Sequence, residues 1–287
     1  MQIVTTVAEA RKVLKKLHKG RKTLGFVPTM GALHEGHLSL VRRSKKDHSI
    51  TALSIFVNPT QFGVDEDLDT YPRRSEADRA LCETEGVDLL FEPSPSEMYP
   101  VGYATYVLQE RYTEPFEGEF RTGHLHGVCT ICCKLFNVIG PDTAYFGQKD
   151  YQQGVAIRHM VQDLNMPMAI QVCPTARESD GLAMSSRNAY LSKDERRQAT
   201  CLYKALYKAR EIVAGGEHSV APLLATMEQV IRESAPDAKI DYVAAANPDS
   251  LREVRRIETE AVLFVAVRLG KTRLIDNILI SAPFSNA

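Results

Sequence analysis

The stretch "TLGFVPTMGALHEGHLSLV", residues 23–41, decides the fold because it joins an apolar run to a helical pattern through a short turn. Residues 23–29 are typical of a buried strand, and residues 36–46 predict a helix. His34 and His37 fall at the turn, three residues apart. Helix N-termini present unpaired backbone N–H groups, which suit phosphate oxygens. Two interpretations stay open here: the imidazoles donate hydrogen bonds to a phosphate during a reaction, or they cap a helix.

Strands and helices alternate through the first part of the chain. An amphipathic helix is predicted in the first twenty residues, further strands at residues 50–58, 87–93, 143–147 and 168–174, and further helices at residues 75–85, 128–139 and 151–164. This alternation predicts an α/β fold with a Rossmann-like parallel sheet flanked by helices. Functional residues are then expected just after the strands.

The pattern changes after Pro174. The loop "ARESDGLAMSSRN" leads into a helix predicted over residues 192–214, and a second helix is predicted over residues 221–234. Three strands follow, at "IDYVAAAN", "AVLFVAVRLG" and "TRLIDNILI". The sequence therefore predicts two domains: residues 1–175, which carry the nucleotide-binding pattern, and residues 176–287, a smaller α+β lid domain.

Composition limits the partners. The chain has 287 residues and a formal net charge of -1, so no strong field attracts nucleic acid or a membrane. The N-terminus lacks the apolar core of a signal peptide, and the longest apolar runs have only strand length. We expect a cytoplasmic protein whose partners are small molecules.

Three of the six cysteines crowd near two histidines. Cys129, Cys132 and Cys133 follow His124 and His126, which raises the possibility of a zinc site. The paired C-x-x-C spacing of structural zinc sites is missing, however, and "VCTICCKLFNVI" continues as an apolar helix. Buried reduced thiols are the favoured interpretation.

The segment "AMSSRNAYLS", residues 183–192, brings hydroxyl and guanidinium donors to the domain boundary. Ser185, Ser186 and Arg187 suit the β- and γ-phosphates of a nucleotide, and a loop can close over them. Standing alone, the segment would be an ordinary solvated linker. Its occurrence together with the two histidines favours a nucleotide site.

The segment "YFGQKDYQQ" follows a predicted strand and opens a helix. Lys149 can reach phosphate, Asp150 can accept hydrogen bonds from ribose hydroxyls, and Gly147 leaves its backbone accessible. The alternative is a surface ion pair between the lysine and the aspartate.

The segment "SIFVNPTQFG" places neutral amides among apolar groups. Asn58 and Gln61 follow a strand and lie beside Phe56 and Phe62 in the sequence. This combination suits a small hydroxylated acid better than a base or a peptide.

Together these segments resemble a known family. The H-x-G-H of "ALHEGH" and the "MSSR" loop are similar to the HIGH and KMSKS-like signatures of the nucleotidylyltransferase superfamily, which includes class I aminoacyl-tRNA synthetases. The ordered set "PTMGALHEGH", "SIFVNPTQF", "RTGHLHGV", "KLFN", "FGQKDYQQ" and "RESDGLAMSSRN" resembles the pantothenate synthetase (pantoate–β-alanine ligase) family. The resemblance implies a ligase that joins pantoate to β-alanine through a pantoyl adenylate, with ATP as co-substrate, Mg²⁺ accompanying it, and a homodimeric assembly.

The resemblance also implies residue roles. His34 and His37 would act on the ATP phosphates, with His37 as a proton donor, and Lys149, Ser185 and Arg187 would complete the catalytic set. The implied ATP contacts are Met30, Gly31, Ala32, Leu33, His34, Glu35, Gly36, His37, Gly147, Gln148, Lys149, Asp150, Ala176, Met184, Ser185, Ser186 and Arg187. The implied contacts with pantoate and β-alanine are Met30, Phe56, Asn58, Gln61 and Gln153. The resemblance does not identify a protein ligand for the metal.

One segment departs from the family pattern. The family often reads R-P-G-H-F-R/D-G-V where this chain has "RTGHLHGV", so no role is assigned to His126. Two alternative functions stay open: a nucleotidylyltransferase of the same fold acting on another acceptor, and a non-catalytic nucleotide-binding protein. The first would need a basic acceptor pocket in place of Asn58 and Gln61, and the second would be expected to lose part of the ligand set.

Overall fold

A parallel sheet forms the centre of the first part of the chain in the computed structural model, which describes residues 1–18, 20, 22–64 and 66–282. Within these residues the sheet has six strands, in the order β1-β4-β3-β2-β5-β6. Every pairing between neighbours is parallel. The strands are β1 Gln2–Val4, β2 Leu24–Thr29, β3 Ile50–Ile55, β4 Leu89–Phe91, β5 Thr143–Gly147 and β6 Ala169–Cys173. The predicted α/β sheet is confirmed.

Helices flank this sheet. They are α1 Val7–Leu17, α2 Glu35–Asp47, α3 Ser75–Thr84, α4 Pro95–Met98, α5 Glu110–Thr113, α6 Glu117–Phe120, α7 His124–Ile139 and α8 Tyr151–Asp163. The sequence missed β1, because its three residues are too few for a periodic pattern and two of them are exposed. Helix α1 begins only at Val7, where Thr6 and Glu9 form a capping box.

The strand order places the turn after β2 at a favourable position. Strand β2 pairs with β3 on one side and with β5 on the other. Strands β3 and β4 extend the sheet in one direction from β2, and β5 and β6 extend it in the opposite direction. Ligands of open α/β sheets bind outside the carboxyl ends of strands at such a switch point. The residues that follow β2 and β5 are Met30 and Gln148, and the segments they begin are the ones that the sequence singled out.

The second part of the chain contains helices α9 Lys193–Gln198, α10 Cys201–Ala214 and α11 Val220–Ser234, followed by β7 Lys239–Ala246, β8 Glu260–Leu269 and β9 Thr272–Ser281. The strands form an antiparallel sheet in the order β7-β8-β9. The single helix predicted over residues 192–214 is wrong. The Thr200 hydroxyl donates to the Arg197 carbonyl and the Leu202 N–H bonds to Ala199 only three residues back, which breaks the regular ladder.

The contacts divide the chain into two compact units. The first contains Met1–Gln148 and Gln152–Pro174, and the second contains Lys149–Tyr151 and the chain from Thr175 onward. The sequence-based boundary had put Lys149–Tyr151 in the first domain. They group with the second unit because the Tyr151 hydroxyl donates to the Pro248 carbonyl and its ring packs against Phe264, at 5.8 Å between centroids. Across the described residues, no helix is long and apolar enough to cross a bilayer.

Candidate active site

His34 and His37 cap α2 reciprocally. The Nδ1 atom of His34 accepts the backbone N–H of Gly36 at 3.2 Å, and Nδ1 of His37 accepts the backbone N–H of His34 at 3.3 Å. A neutral imidazole that accepts at Nδ1 carries its proton on Nε2, so both Nε2 atoms are donors. The rings lie 4.1 Å apart between centroids, and both residues are half-buried. The two interpretations of the sequence are therefore compatible, because capping sets each ring in the tautomer that can donate to phosphate.

The turn before α2 is held by a carboxylate that the sequence analysis missed. Asp78 of α3 accepts the backbone N–H groups of Ala32 and Leu33, both at 2.8 Å. Gly31 and Ala32 have φ angles of +83° and +49°, so the turn needs such support. Asp78 is 2% exposed. The sequence did carry a sign of this role: Asp78 lies four residues before Cys82, so both side chains share the buried face of α3.

Asn58 and Gln61 adopt different roles. The Asn58 amide nitrogen donates to Gln61 Oε1 and to the Gly127 carbonyl, both at 3.1 Å. Its oxygen accepts from the Tyr99 hydroxyl at 2.7 Å and from the Thr60 hydroxyl at 3.0 Å. Both amide protons of Asn58 are thus engaged within the protein. The Asn58 amide thereby orients the side chain of Gln61, and contact of Asn58 with the substrate stays a prediction.

Gln61 itself lies against the turn after β2. Its amide nitrogen is 2.9 Å from the Met30 sulfur, and its residue is 7% exposed. This contact brings together two of the residues implied for pantoate. Phe56 is also buried, at 4% exposure, and its ring packs against Tyr99.

His124 of α7 holds the backbone of the segment after β3, at Gln61. Its Nδ1 atom donates to the backbone carbonyl of Gln61 at 2.7 Å. Burial lowers the pKa of His124 to about 4, with the positive charge of Arg121 acting in the same direction. Arg121 in turn makes two hydrogen bonds with the Glu66 carboxylate, at 2.8 and 2.6 Å. His126, left without a role by the sequence, contacts the Thr113 hydroxyl at 3.0 Å.

The neighbouring glutamines of α8 are also distinct. Gln152 is 3% exposed; its Oε1 accepts the Glu117 N–H, and its Nε2 donates to the carbonyls of Tyr112 and Pro115. Gln153, which the family pattern assigns to pantoate, is half-buried on the first turn of the helix. The three hydrogen bonds of Gln152 give it a structural role, and the assignment of Gln153 to pantoate stays a prediction.

Gly147 ends β5 in open surroundings. A Cβ built on it would meet no atom within 4 Å, and its φ angle is not in the left-handed region. Neither the packing of the protein nor the backbone conformation requires glycine here. The backbone of Gly147 is accessible, and its contact with a nucleotide stays a prediction.

Lys149 and Asp150 belong to the second unit. Their charged atoms lie 3.5 Å apart, and the side chains are 19% and 47% exposed. The surface-pair interpretation thus describes a real contact, but a weak one at this distance. The backbone carbonyl of Lys149 accepts a hydrogen bond of 2.8 Å from Asn277 of β9.

The loop containing Ser185, Ser186 and Arg187 follows a tight hairpin in the second unit. Arg177 and Ala183 form an antiparallel bridge, and the Met184 N–H bonds to the Ala176 carbonyl at 2.9 Å. Ser185 then starts a short 3₁₀ helix, Ser186–Tyr190, and its hydroxyl accepts the Arg187 N–H at 3.3 Å. The hairpin is pinned by Arg177, which pairs with Asp276 of β9.

Two of the three cysteines of α7 face the protein interior, and Cys133 is half-buried. Cys129 and Cys132 are buried thiols, and burial raises the pKa of Cys129 to about 12. Among the residues that the structure describes, no group of three or more His, Cys, Asp or Glu side chains is arranged to hold a metal ion.

The geometry can be compared with known proteins. A family profile for pantoate-beta-alanine ligase matches residues 2–279. The chain belongs to the pantoate-beta-alanine ligase family. This confirms the resemblance read from the motifs. This family member is 50% identical over 282 residues to a pantothenate synthetase of Caldicellulosiruptor bescii, covering 98% of this chain and 100% of the relative.

Solved structures of pantoate-beta-alanine ligases are also similar. The pantothenate synthetase of Thermus thermophilus is 46% identical, with a TM-score of 0.91 and coverage of 97% of this chain and 99% of that chain. The pantoate-beta-alanine ligase of Francisella tularensis was solved in complex with β-γ ATP and β-alanine. It is 32% identical, with a TM-score of 0.79 and coverage of 97% of each chain.

Proposed function

We propose that this protein uses ATP to join pantoate to β-alanine, through a pantoyl adenylate. The family match and the similarity to a ligase solved with β-γ ATP and β-alanine support the reaction. The structural observation that carries the proposal is the reciprocal cap of His34 and His37, which sets the proton of each ring on Nε2 at the N-terminus of α2. Donors fixed in advance at a helix N-terminus stabilise charge that develops on phosphate.

The first step activates the acid. A carboxylate oxygen of pantoate attacks the α-phosphorus of ATP, the bond to the bridging oxygen breaks, and pyrophosphate leaves. His34 and His37 donate hydrogen bonds to phosphate oxygens while negative charge develops on those oxygens. His37 is also the proposed proton donor to the bridging oxygen that leaves with pyrophosphate. Gln61 and Gln153 hold the hydroxyl and carboxylate groups of pantoate, with Met30 and Phe56 as apolar neighbours.

The remaining implied contacts have proposed roles of their own. We assign phosphate oxygens to Lys149, Ser185, Ser186 and Arg187, and a ribose hydroxyl to Asp150. Adenine and the rest of the nucleotide are assigned to the backbone and side chains of the other implied contacts, which are Gly31, Ala32, Leu33, Glu35, Gly36, Gly147, Gln148, Ala176 and Met184. Partly exposed carboxylate and lysine side chains such as those of Asp150 and Lys149 suit this role.

The second step forms the amide. The amine of β-alanine attacks the acyl carbon of pantoyl adenylate, the bond from that carbon to the phosphate oxygen breaks, AMP leaves, and the amine loses a proton. Adenylation is required because a free carboxylate is a poor acyl donor, whereas AMP is a good leaving group. Gln61 is placed beside the incoming amine in this proposal.

Mg²⁺ belongs to the proposal as a companion of ATP. A magnesium ion that accompanies ATP would be bound mainly by phosphate oxygens and water. When bound, it offsets the charge of the phosphates. We also infer a homodimer in the cytoplasm from the family relationship, and light scattering on the purified protein would determine the assembly.

The test is exchange of labelled pyrophosphate into ATP, with pantoate present and β-alanine absent. Exchange that requires pantoate is the expected result, because only a reversible adenylation returns label to ATP. Omitting pantoate is the control. Exchange supported by a different acid or alcohol would indicate a nucleotidylyltransferase with another acceptor, and ATP binding without exchange would indicate a non-catalytic protein.

A further inference from the structure

Two adjacent polar residues of β9 are buried although no proposed step uses them. Asp276 is 3% exposed and Asn277 is 2% exposed. A buried charge or amide is costly unless it is fully hydrogen-bonded, so each must have a specific partner. One partner, Arg177, lies in the hairpin that leads to the Ser185–Arg187 loop, and the other is the backbone of Lys149; the proposed function assigns phosphate binding to that loop and to that lysine.

Asp276 holds the hairpin that precedes Ser185. Its carboxylate accepts two hydrogen bonds from the Arg177 guanidinium, at 2.6 and 3.0 Å. This bidentate geometry fixes the direction of the guanidinium as well as its distance. Burial raises the pKa of Asp276, and the positive charge of Arg177 opposes that shift.

Arg177 connects Asp276 to the hairpin that leads into the Ser185–Arg187 loop. The same guanidinium donates to the Gly181 carbonyl at 3.0 Å and lies 5.1 Å above the ring of Tyr203. Gly181 sits so close to this ring that an added Cβ would come within 2.2 Å of it. The return strand of the hairpin passes through Ala183, which is bridged to Arg177, and continues directly into Met184 and Ser185.

Asn277 holds the lysine segment. Its side-chain nitrogen donates to the backbone carbonyl of Lys149 at 2.8 Å, across 128 residues of sequence. The hydrogen bond fixes the point from which the Lys149 side chain extends. One strand therefore contacts both segments through two consecutive residues.

We propose that Asp276 and Asn277 are positioning residues for phosphate binding: Asp276 orients the Ser185–Arg187 loop through Arg177, and Asn277 orients Lys149. The inference rests on the proposed function. Neither side chain contacts substrate in this scheme, so the effect of each is indirect. Because β9 carries both anchors, a small displacement of this strand moves both sets of phosphate donors.

The experiment compares Asp276→Asn with Asp241→Asn. Asp241 is a matched control: it is also a buried aspartate of this sheet, and it accepts from Arg268 at 3.1 Å and Arg273 at 2.7 Å, away from the hairpin. Asn277→Ala is the second positioning variant, and it creates no unpaired charge. Three quantities are measured for each protein: the melting temperature, kcat and KM for ATP in the full reaction, and the rate of pantothenate formation from supplied pantoyl adenylate and β-alanine.

We expect kcat/KM for ATP to fall by about 10²-fold in Asp276→Asn and in Asn277→Ala, since misplaced groups lose roughly this much. Turnover of supplied pantoyl adenylate should remain within about threefold of the wild-type rate, because that step has no β- or γ-phosphate to bind. Asp241→Asn should lose stability with kcat/KM for ATP nearly unchanged.

Three results would overturn the inference. The first is an equal loss in the Asp241 and Asp276 variants, and the second is an equal loss of both half-reactions, since each indicates general damage to the fold. The third, which also applies if Asp276→Asn does not fold, is normal ATP kinetics in Asn277→Ala. A wild-type protein that forms no pantothenate at all would instead reject the proposed function.

Discussion

The side chain of His37 accepts the backbone N–H of His34 at 3.3 Å, so the second histidine of the motif supports the position of the first. A glutamine at the same helix position can accept the same hydrogen bond, as it does in capping boxes. Replacing His37 with glutamine therefore separates its capping role from its proposed catalytic role.

We predict that His37→Gln retains the stability of the wild type but loses about 10²–10³-fold in kcat, the range for removing a donor aimed at developing charge. His37→Ala should lose both activity and about 1 kcal/mol of stability, since the cap is gone as well. Pyrophosphate exchange and thermal unfolding are the measurements. A glutamine variant with wild-type exchange would assign His37 to capping alone.

A second prediction concerns Asp78. Asp78→Asn replaces one of two acceptor oxygens with a donor, so at least one of the N–H groups of Ala32 and Leu33 loses its partner. We expect a destabilisation of about 1–3 kcal/mol together with a marked loss of kcat, because the turn that leads to His34 is released. Glu76→Gln is the control, since Glu76 is an exposed acid in the same first turn of α3. Urea unfolding and steady-state kinetics would reveal whether the two effects occur together.

A third prediction uses the neighbouring glutamines of α8. Gln152→Ala removes three hydrogen bonds and should cost about 2–3 kcal/mol, from roughly 1 kcal/mol for each. Gln153→Ala should have an unfolding free energy within about 0.5 kcal/mol of the wild-type value, as is usual for substitutions away from the core. It should instead raise KM for pantoate. Unchanged pantoate kinetics in Gln153→Ala would remove this residue from the proposed site.

A fourth prediction concerns pH. The pKa of His124 is about 4 in the folded protein against an ordinary value of 6.5, so between these values the unfolded chain binds a proton that the folded protein does not. The contribution of His124 to stability is therefore full above about pH 6.5 and is lost progressively as the pH falls toward 4. Between pH 7 and pH 5 this amounts to about 2 kcal/mol.

The measurement is urea unfolding at these two pH values in the wild type and in His124→Asn. Asparagine retains a donor near the position of Nδ1 but has no titrating group, so the variant should lose less stability on acidification than the wild type. Equal slopes in the two proteins would show that His124 does not carry the pH dependence.

The elements of the fold were predicted where periodicity is strong. Strand β2 and helices α2, α7 and α8 have long apolar runs or helical faces, and their positions followed from these. Strand β1 was missed because three residues are too few to show a strand pattern, and its extended conformation depends on pairing with β4. The break between α9 and α10 coincides with hydrogen bonds of Thr200 and Leu202 that the sequence pattern does not reveal.

The candidate site divides in the same way. The two histidines, Lys149 and the Ser185–Arg187 loop could be found because each lies in a short, recognisable sequence motif. Asp78 and Asp276 could not, because their partners lie 46 and 99 residues away and only the folded chain brings them together. The engagement of both Asn58 amide protons by Gln61 and Gly127 could not be predicted either, because the sequence reveals an amide but not its partners.

The grouping of Lys149–Tyr151 with the second unit has a consequence for modularity. The chain leaves the first unit after Gln148, returns at Gln152 and leaves again after Pro174. A single cut of the chain therefore cannot yield both units complete. A cut after Pro174 would separate Asn277 from the Lys149 carbonyl that it hydrogen-bonds, and the lysine proposed to bind phosphate would be inherited with the wrong fragment.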